Sequence, residues 1–158
     1  MRNLLVYSTV AALALGAAQP ARSAETIVPF TGLVLATCVL TVGTPGILGA
    51  NADYSVLSST GAGGVPGVVT VLSTGANFNV SAIAPSAFTI APEGGNDGVA
   101  FAATYQGSGA TSIGNTPGAT ATRVNTGITS LTVNMSAAKS SGPFPGGAYT
   151  AEVVVRCE

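Results

Sequence analysis

The chain has 158 residues, a length that suits one domain with a sizeable core. Charged residues make up only 7% of it and hydrophobic residues 47%, which excludes a disordered chain, and its few Lys and Arg are too scattered to form an electrostatic footprint for nucleic acid. It has no His and two Cys, too few ligands for a zinc or copper centre, so no metal and no cofactor are expected.

Met1-Arg2-Asn3 carries a positive charge, and residues 4–18 form an uncharged apolar run too short for a comfortable membrane span. This pattern predicts a signal peptide over residues 1–24, with Ala21, Ser23 and Ala24 as the small residues at the cleavage point. A mature domain of about 134 residues, 25–158, is then left to fold. No second apolar run of spanning length occurs after it, so the product is expected to be secreted through the periplasm with no membrane span. From Glu25 onward six acids face three bases, Arg123, Lys139 and Arg156, a net charge of −3.

Residues 27–38 are expected to form one long first strand. Val28, Phe30, Gly32, Val34, Ala36 and Cys38 share one face by the period of two, and Pro29, Thr31, Leu33, Leu35 and Thr37 share the other. Pro29 is tolerated at a strand start or edge, and Gly32 leaves a notch in the apolar face, which suits a strand laid into a groove.

Beyond Cys38, Val39-Leu40-Thr41-Val42 runs into the turn residues Gly43-Thr44-Pro45-Gly46, and short strands are expected at Ile47-Leu48-Gly49 and Tyr54-Ser55-Val56-Leu57. The glycine-rich stretch from Gly61 to Gly67 superficially suggests a phosphate-cradling loop. It leads into Val68-Val69-Thr70-Val71-Leu72, a strand pattern with no helix start to aim amides at an anion.

Further strands are predicted at Phe78-Asn79-Val80-Ser81-Ala82, at Ala87-Phe88-Thr89-Ile90, and from Val99 to Tyr105 with Val99, Phe101, Ala103 and Tyr105 on one face. Glu93-Gly94-Gly95-Asn96-Asp97-Gly98 matches a single calcium-repeat unit, but one copy has no neighbour to stack on. It reads as a hairpin turn with Asn and Asp in left-handed geometry. Residues 106–118 read as an exposed loop, and 119–125 and 128–135 as strands, with Leu131, Val133 and Met135 sharing a face. Ser136-Ala137-Ala138-Lys139 matches a bare Ser-x-x-Lys without its companion motifs. Glu93 and Asp97 sit in a turn as solvated loop polarity. No catalysis is expected, and no catalytic residues are assigned. The last stretch alternates cleanly, with Tyr149, Ala151, Val153, Val155 and Cys157 on its core face.

Val28-Pro29-Phe30-Thr31-Gly32-Leu33-Val34 resembles the mature N-terminus of bacterial fimbrial subunits of the chaperone and usher type, commonly Val-x-Phe-x-Gly-x-Val followed by a cysteine. Gly147-Ala148-Tyr149-Thr150-Ala151 resembles their final strand. The chain departs from that pattern in having Cys157 at the usual aromatic penultimate position and no second cysteine at the end of the next strand; the spore coat protein U type is the rival resemblance. The resemblance implies a single immunoglobulin-like antiparallel β-sandwich, here of about seven to nine strands. It further implies strand donation through Val28, Phe30, Gly32 and Val34 to a neighbouring fibre subunit, a periplasmic chaperone as partner, and a final place at the cell surface in a fimbrium. The alternative function is a self-contained exported binding domain that recognises a surface, a glycan or a protein.

In an oxidising compartment Cys38 and Cys157 are expected to form a disulfide, within one chain or between neighbouring subunits. Bridged α carbons lie within about 7 Å, so no donated strand runs between them, and a groove is expected to open at the far end, around Val28 to Val34.

Overall fold

The computed structural model describes residues 22–158, so the signal-peptide reading of residues 1–24 lies, apart from its last three residues, outside the described part. The chain divides into two units, one ending at Leu33 and one formed by Val34–Glu158. In the first, residues 22–33 form no strand and are exposed, Ile27 and Phe30 at 93%. The second holds ten strands: β1 Cys38–Thr44, β2 Gly49–Ala50, β3 Val56–Ser58, β4 Gly67–Ser73, β5 Phe78–Ile83, β6 Val99–Gly109, β7 Ile113–Pro117, β8 Thr122–Val124, β9 Gly127–Lys139 and β10 Val154–Cys157. The fold is all-β, an antiparallel β-sandwich with no helix among the described residues. None of the described residues therefore forms a helix long and apolar enough to cross a membrane.

β9 is the axis of the larger sheet. One edge of it pairs first with β4 and then with β3, while the other pairs along its length with β6. β1 closes the sheet beyond β4, β2 lies beyond β3, and β7 lies beyond β6. The smaller sheet is β10-β5-β8. Alternation along β9 puts Thr129, Leu131, Val133, Met135 and Ala137 on the inner face. Leu131 then packs with Val71 of β4 and with Val80, Ala82 and Val124 of the other sheet. Complete burial of an aliphatic side chain of this kind contributes about 1.5–3 kcal/mol. At the other end a second cluster forms around Phe88, where Phe101, Phe144 and Tyr149 meet its ring edge to face at centroid distances of 4.9, 5.9 and 4.9 Å.

The two sheets are also tied by a buried hydroxyl. Tyr105 of β6 is fully buried, and its Oη lies 3.0 Å from the Val80 carbonyl of β5, 2.7 Å from the Thr120 carbonyl and 2.7 Å from Thr122 Oγ1 of β8. A phenol has one proton, so it donates to a carbonyl and accepts from the Thr122 hydroxyl.

Several expectations are corrected. The first strand begins at Cys38, and residues 27–37 form none: alternation makes a segment able to be a strand, but its backbone groups also need a ladder partner. The stretch 106–118 is a hairpin of β6 and β7. Gly107 and Gly109 continue the ladder with β9, and the Ile113 side chain occupies the space a Cβ at Gly107 would take. The segment 87–90 contributes one bridge, Ile90 to Thr150, and the final strand is confined to β10. In the 93–98 turn the left-handed residues are Gly94 and Gly98, with φ of 72° and 62°. Asn96 instead uses its side-chain amide to accept from the Phe88 N–H and donate to the Phe88 carbonyl. Ser136 and Lys139 are positions of β9, not a helix start.

Tyr105→Phe removes the shared hydroxyl and leaves the buried Val80 carbonyl without that donor. A loss of about 1–3 kcal/mol is expected, read as a lower denaturant midpoint with an unchanged slope.

Candidate functional site

Strand β1 is bonded to β4 along one edge only, and β10 to β5 along one edge only. Their other edges carry unpaired N–H and C=O groups, which can template a further strand. Between them the sandwich is open. A groove of about 590 Å³ has one wall formed by Val42 of β1 and the following Ile47 and Leu48, and another by Tyr149, Ala151, Val153 and Val155. Its floor is made by Leu57 of β3, Val69 of β4, and Val133 and Met135 of β9.

The exposures record the same opening. Tyr149, Ala151, Val153, Val155 and Cys157 do share one face, alternating with exposed Thr150, Glu152, Val154 and Arg156, but they are half-buried because nothing covers them. On the opposite wall Val42 is 72% exposed and Ile47 54% exposed, values at odds with their apolar character unless something else covers them.

Cys38 and Cys157 form a disulfide within the chain, with α carbons 6.2 Å apart. The bridge stands at the start of β1 and the end of β10 and closes one end of the groove. The opening therefore lies toward Val42 and Leu48, and none of residues 28–34, where it was expected, lines it. The cause is the late start of β1, which places the whole strand on the far side of the bridge. Before Cys38, the Thr37 N–H donates to Thr74 Oγ1 at 2.9 Å, and the Thr37 carbonyl accepts from the Thr74 N–H at 2.9 Å. Ala36 lies so close over Gly75 that a side chain at that position has no room.

Of the residues expected to donate a strand, Val28 is 64%, Phe30 93% and Val34 91% exposed, and Gly32 has no other atom near its Cβ direction. The floor and the Val42 wall were not recognised in the sequence. The available signal was the apolar character of Val42 and Ile47 beside turn residues.

The groove's chemistry is that of apolar contact and backbone pairing. Among the described residues Tyr149 is the only titratable one that lines it, and its hydroxyl donates to the Pro145 carbonyl at 2.7 Å. No group of three potential metal ligands occurs among the described residues. On the outer face of the larger sheet, Ser58, Thr104, Gln106, Asn115 and Asn134 line a second, uncharged polar hollow of about 420 Å³.

The bridge spans 119 positions, so replacing both cysteines by serine is expected to lower stability by about 4–5 kcal/mol in the chain-entropy account, measured as the denaturant midpoint against the oxidised parent. Burial raises the Tyr149 pKa above the ordinary tyrosine range. The folded-state value then exceeds the unfolded one, so this contribution is intact below the ordinary tyrosine pKa and is lost as pH rises through the folded value. Tyr149→Phe should abolish that part of the alkaline decline; an identical decline in the variant would exclude Tyr149 as its source.

Comparison with protein-family models, with characterised proteins and with solved structures found no match to this chain.

Proposed function

We propose that the protein is a structural subunit of an exported surface fibre, in which the apolar segment 27–35 of one copy lies as an added strand in the groove of the next. The observation that carries this reading is the coexistence, in one chain, of an apolar groove flanked by β1 and β10, each bonded along one edge only, and an exposed apolar segment that forms no strand. Strand addition answers both: main-chain bonds to the edges supply affinity, and alternate side chains fill the floor. The resemblance of Val28 to Val34 and of the stretch Gly147 to Ala151 to fimbrial subunits agrees with it, as does an immunoglobulin-like reading of the sandwich. Export by a signal peptide, assembly in the periplasm with a chaperone and a final place at the cell surface belong to the same proposal. The disulfide supports an oxidising compartment.

Donation between copies is favoured over insertion of the segment into its own groove. Thr37 is held to Thr74, outside the bridge, so self-insertion would need a reversal within Leu35-Ala36-Thr37. A tight hairpin wants Gly, Asn or Asp there, and none is present.

Burying Val28, Phe30 and Val34 would contribute roughly 5–9 kcal/mol in total. Association itself costs about 4–15 kcal/mol, so complementarity and the ladder bonds decide the affinity. Gly32 is the sensitive position. Gly32→Leu meets no atom in the isolated chain, yet adds four carbons to the donated face. The variant is expected to keep its circular dichroism spectrum and to self-associate at least tenfold more weakly in sedimentation velocity, about 1.4 kcal/mol. Association equal to the parent would overturn donation through this segment.

The uncharged polar hollow favours a second reading, an exported domain that binds a neutral sugar. A monomeric parent protein that bound a neutral glycan, with loss on Asn134→Ala, would establish that reading instead.

A further inference from the structure

We infer that the Cys38–Cys157 bridge is the end stop of the groove, fixing both the polarity and the register of the strand it accepts. The inference rests on the strand-addition reading above. A strand bonded to a wall on each side needs the walls two ladder spacings apart, about 9.5 Å, whereas the bridged α carbons are 6.2 Å apart. A strand therefore fits beside Val42 and Ile47 but not between Cys38 and Cys157, and anything upstream must bend outward over the bridge.

Such a stop supplies what the side chains do not. The floor is apolar along Leu57, Val69, Val133 and Met135, its polar member Ser59 has its hydroxyl bonded to Asn134 Oδ1 and the Met135 N–H, and Val28, Phe30 and Val34 are all apolar, so a slip of two residues keeps every one of them facing inward. Apolar burial alone specifies such a register weakly.

Polarity is set by where the chain must go. β1 runs away from the bridge and the Tyr149 to Val155 wall runs toward it, so either direction of the guest strand is parallel to one wall and antiparallel to the other. The donor continues through Leu35 and Thr37 into its own bridged end. If that continuation emerged at the acceptor's bridge, bridged ends would be crowded together, giving closed pairs. If it emerges at the open end, each open end meets the next bridged end, the head-to-tail contact from which fibres propagate. Val28 therefore lies next to the bridge, and Val34 at the mouth.

The test uses the full chain carrying Gly32→Leu, so that its own segment does not compete, and a synthetic peptide of residues 25–36 bearing a benzophenone side chain at position 26, 28 or 34. After irradiation, the crosslinked residues are mapped by mass spectrometry. The expected result is that position 28 marks Leu40 and Val155, position 34 marks Ile47 or Tyr149, and position 26 marks nothing inside the groove. Exchange of the marks of positions 28 and 34 would overturn the polarity. Marks from position 26 on Thr74 or Phe78, beyond the bridge, would overturn the stop with the disulfide intact. In Cys38→Ala with Cys157→Ala, the position 28 marks should spread in two-residue steps, and a folded variant with the single parent mark would also overturn the stop. Absence of groove marks from every peptide would instead sink the strand-addition reading on which the stop depends.

Discussion

A two-layer sandwich must cover the inner face of both sheets, and in this chain the strands run out before that is done. The larger sheet ends at β1 and the smaller at β10, and the inner faces of β4 and β9 continue beneath the gap between those edges. The gap between those edges accounts together for the half-buried face from Tyr149 to Val155 and the exposed Val42 and Ile47. These features are otherwise unrelated costs. Exposed apolar area forfeits burial free energy, and free edges invite aggregation, so a chain that keeps both must hold the gap open by some other means.

The Cys38–Cys157 bridge and Tyr105 are those means. The bridge joins the first strand of one sheet to the last strand of the other, and Tyr105 joins β6 to β5 and β8 by its shared hydroxyl. With the sheets tied at these points, the core around Val71, Val80 and Leu131 stays closed while the other end remains open. The aromatic cluster of Phe88, Phe101, Phe144 and Tyr149 holds the far end of the Tyr149 wall in place by ring contacts of its own.

Alternation was the legible signal in the sequence, and it fixed faces better than it fixed strands. The inner faces of β6 and β9 are read correctly from Phe101, Ala103 and Tyr105 and from Leu131, Val133 and Met135, because the two strands pair with each other along their length and that ladder makes the pattern real. The same pattern over Val28 to Thr37 gave a strand that is not formed, since periodicity says nothing about a partner. Residues 106–118 misled in the opposite sense: Gly and Ser looked like a loop, and it is the smallness of Gly107 that lets Ile113 fold over it and the ladder continue. The pairing of the two cysteines was legible because their number allows only one bond within the chain. The groove was not, because its floor comes from β3, β4 and β9, and only long-range pairing brings Leu57, Val69 and Met135 side by side.

The open groove and the unpaired segment are each unfavourable in an isolated molecule, and their relation to one another gives the fold its sense. A sandwich that completed itself would need its guest strand joined by a short turn, and Leu35-Ala36-Thr37 is neither a turn sequence nor free to become one while Thr37 is bonded to Thr74. The bonds between Thr37 and Thr74 stand immediately before β1 and fix the residue that precedes the bridge. Where the first strand begins thus decides what is left unpaired: Leu35 and Ala36 precede β1 and join no ladder, while Val42 within β1 lines an open groove. The strand addition proposed above would cover both at once, since an added strand supplies ladder partners and apolar cover together.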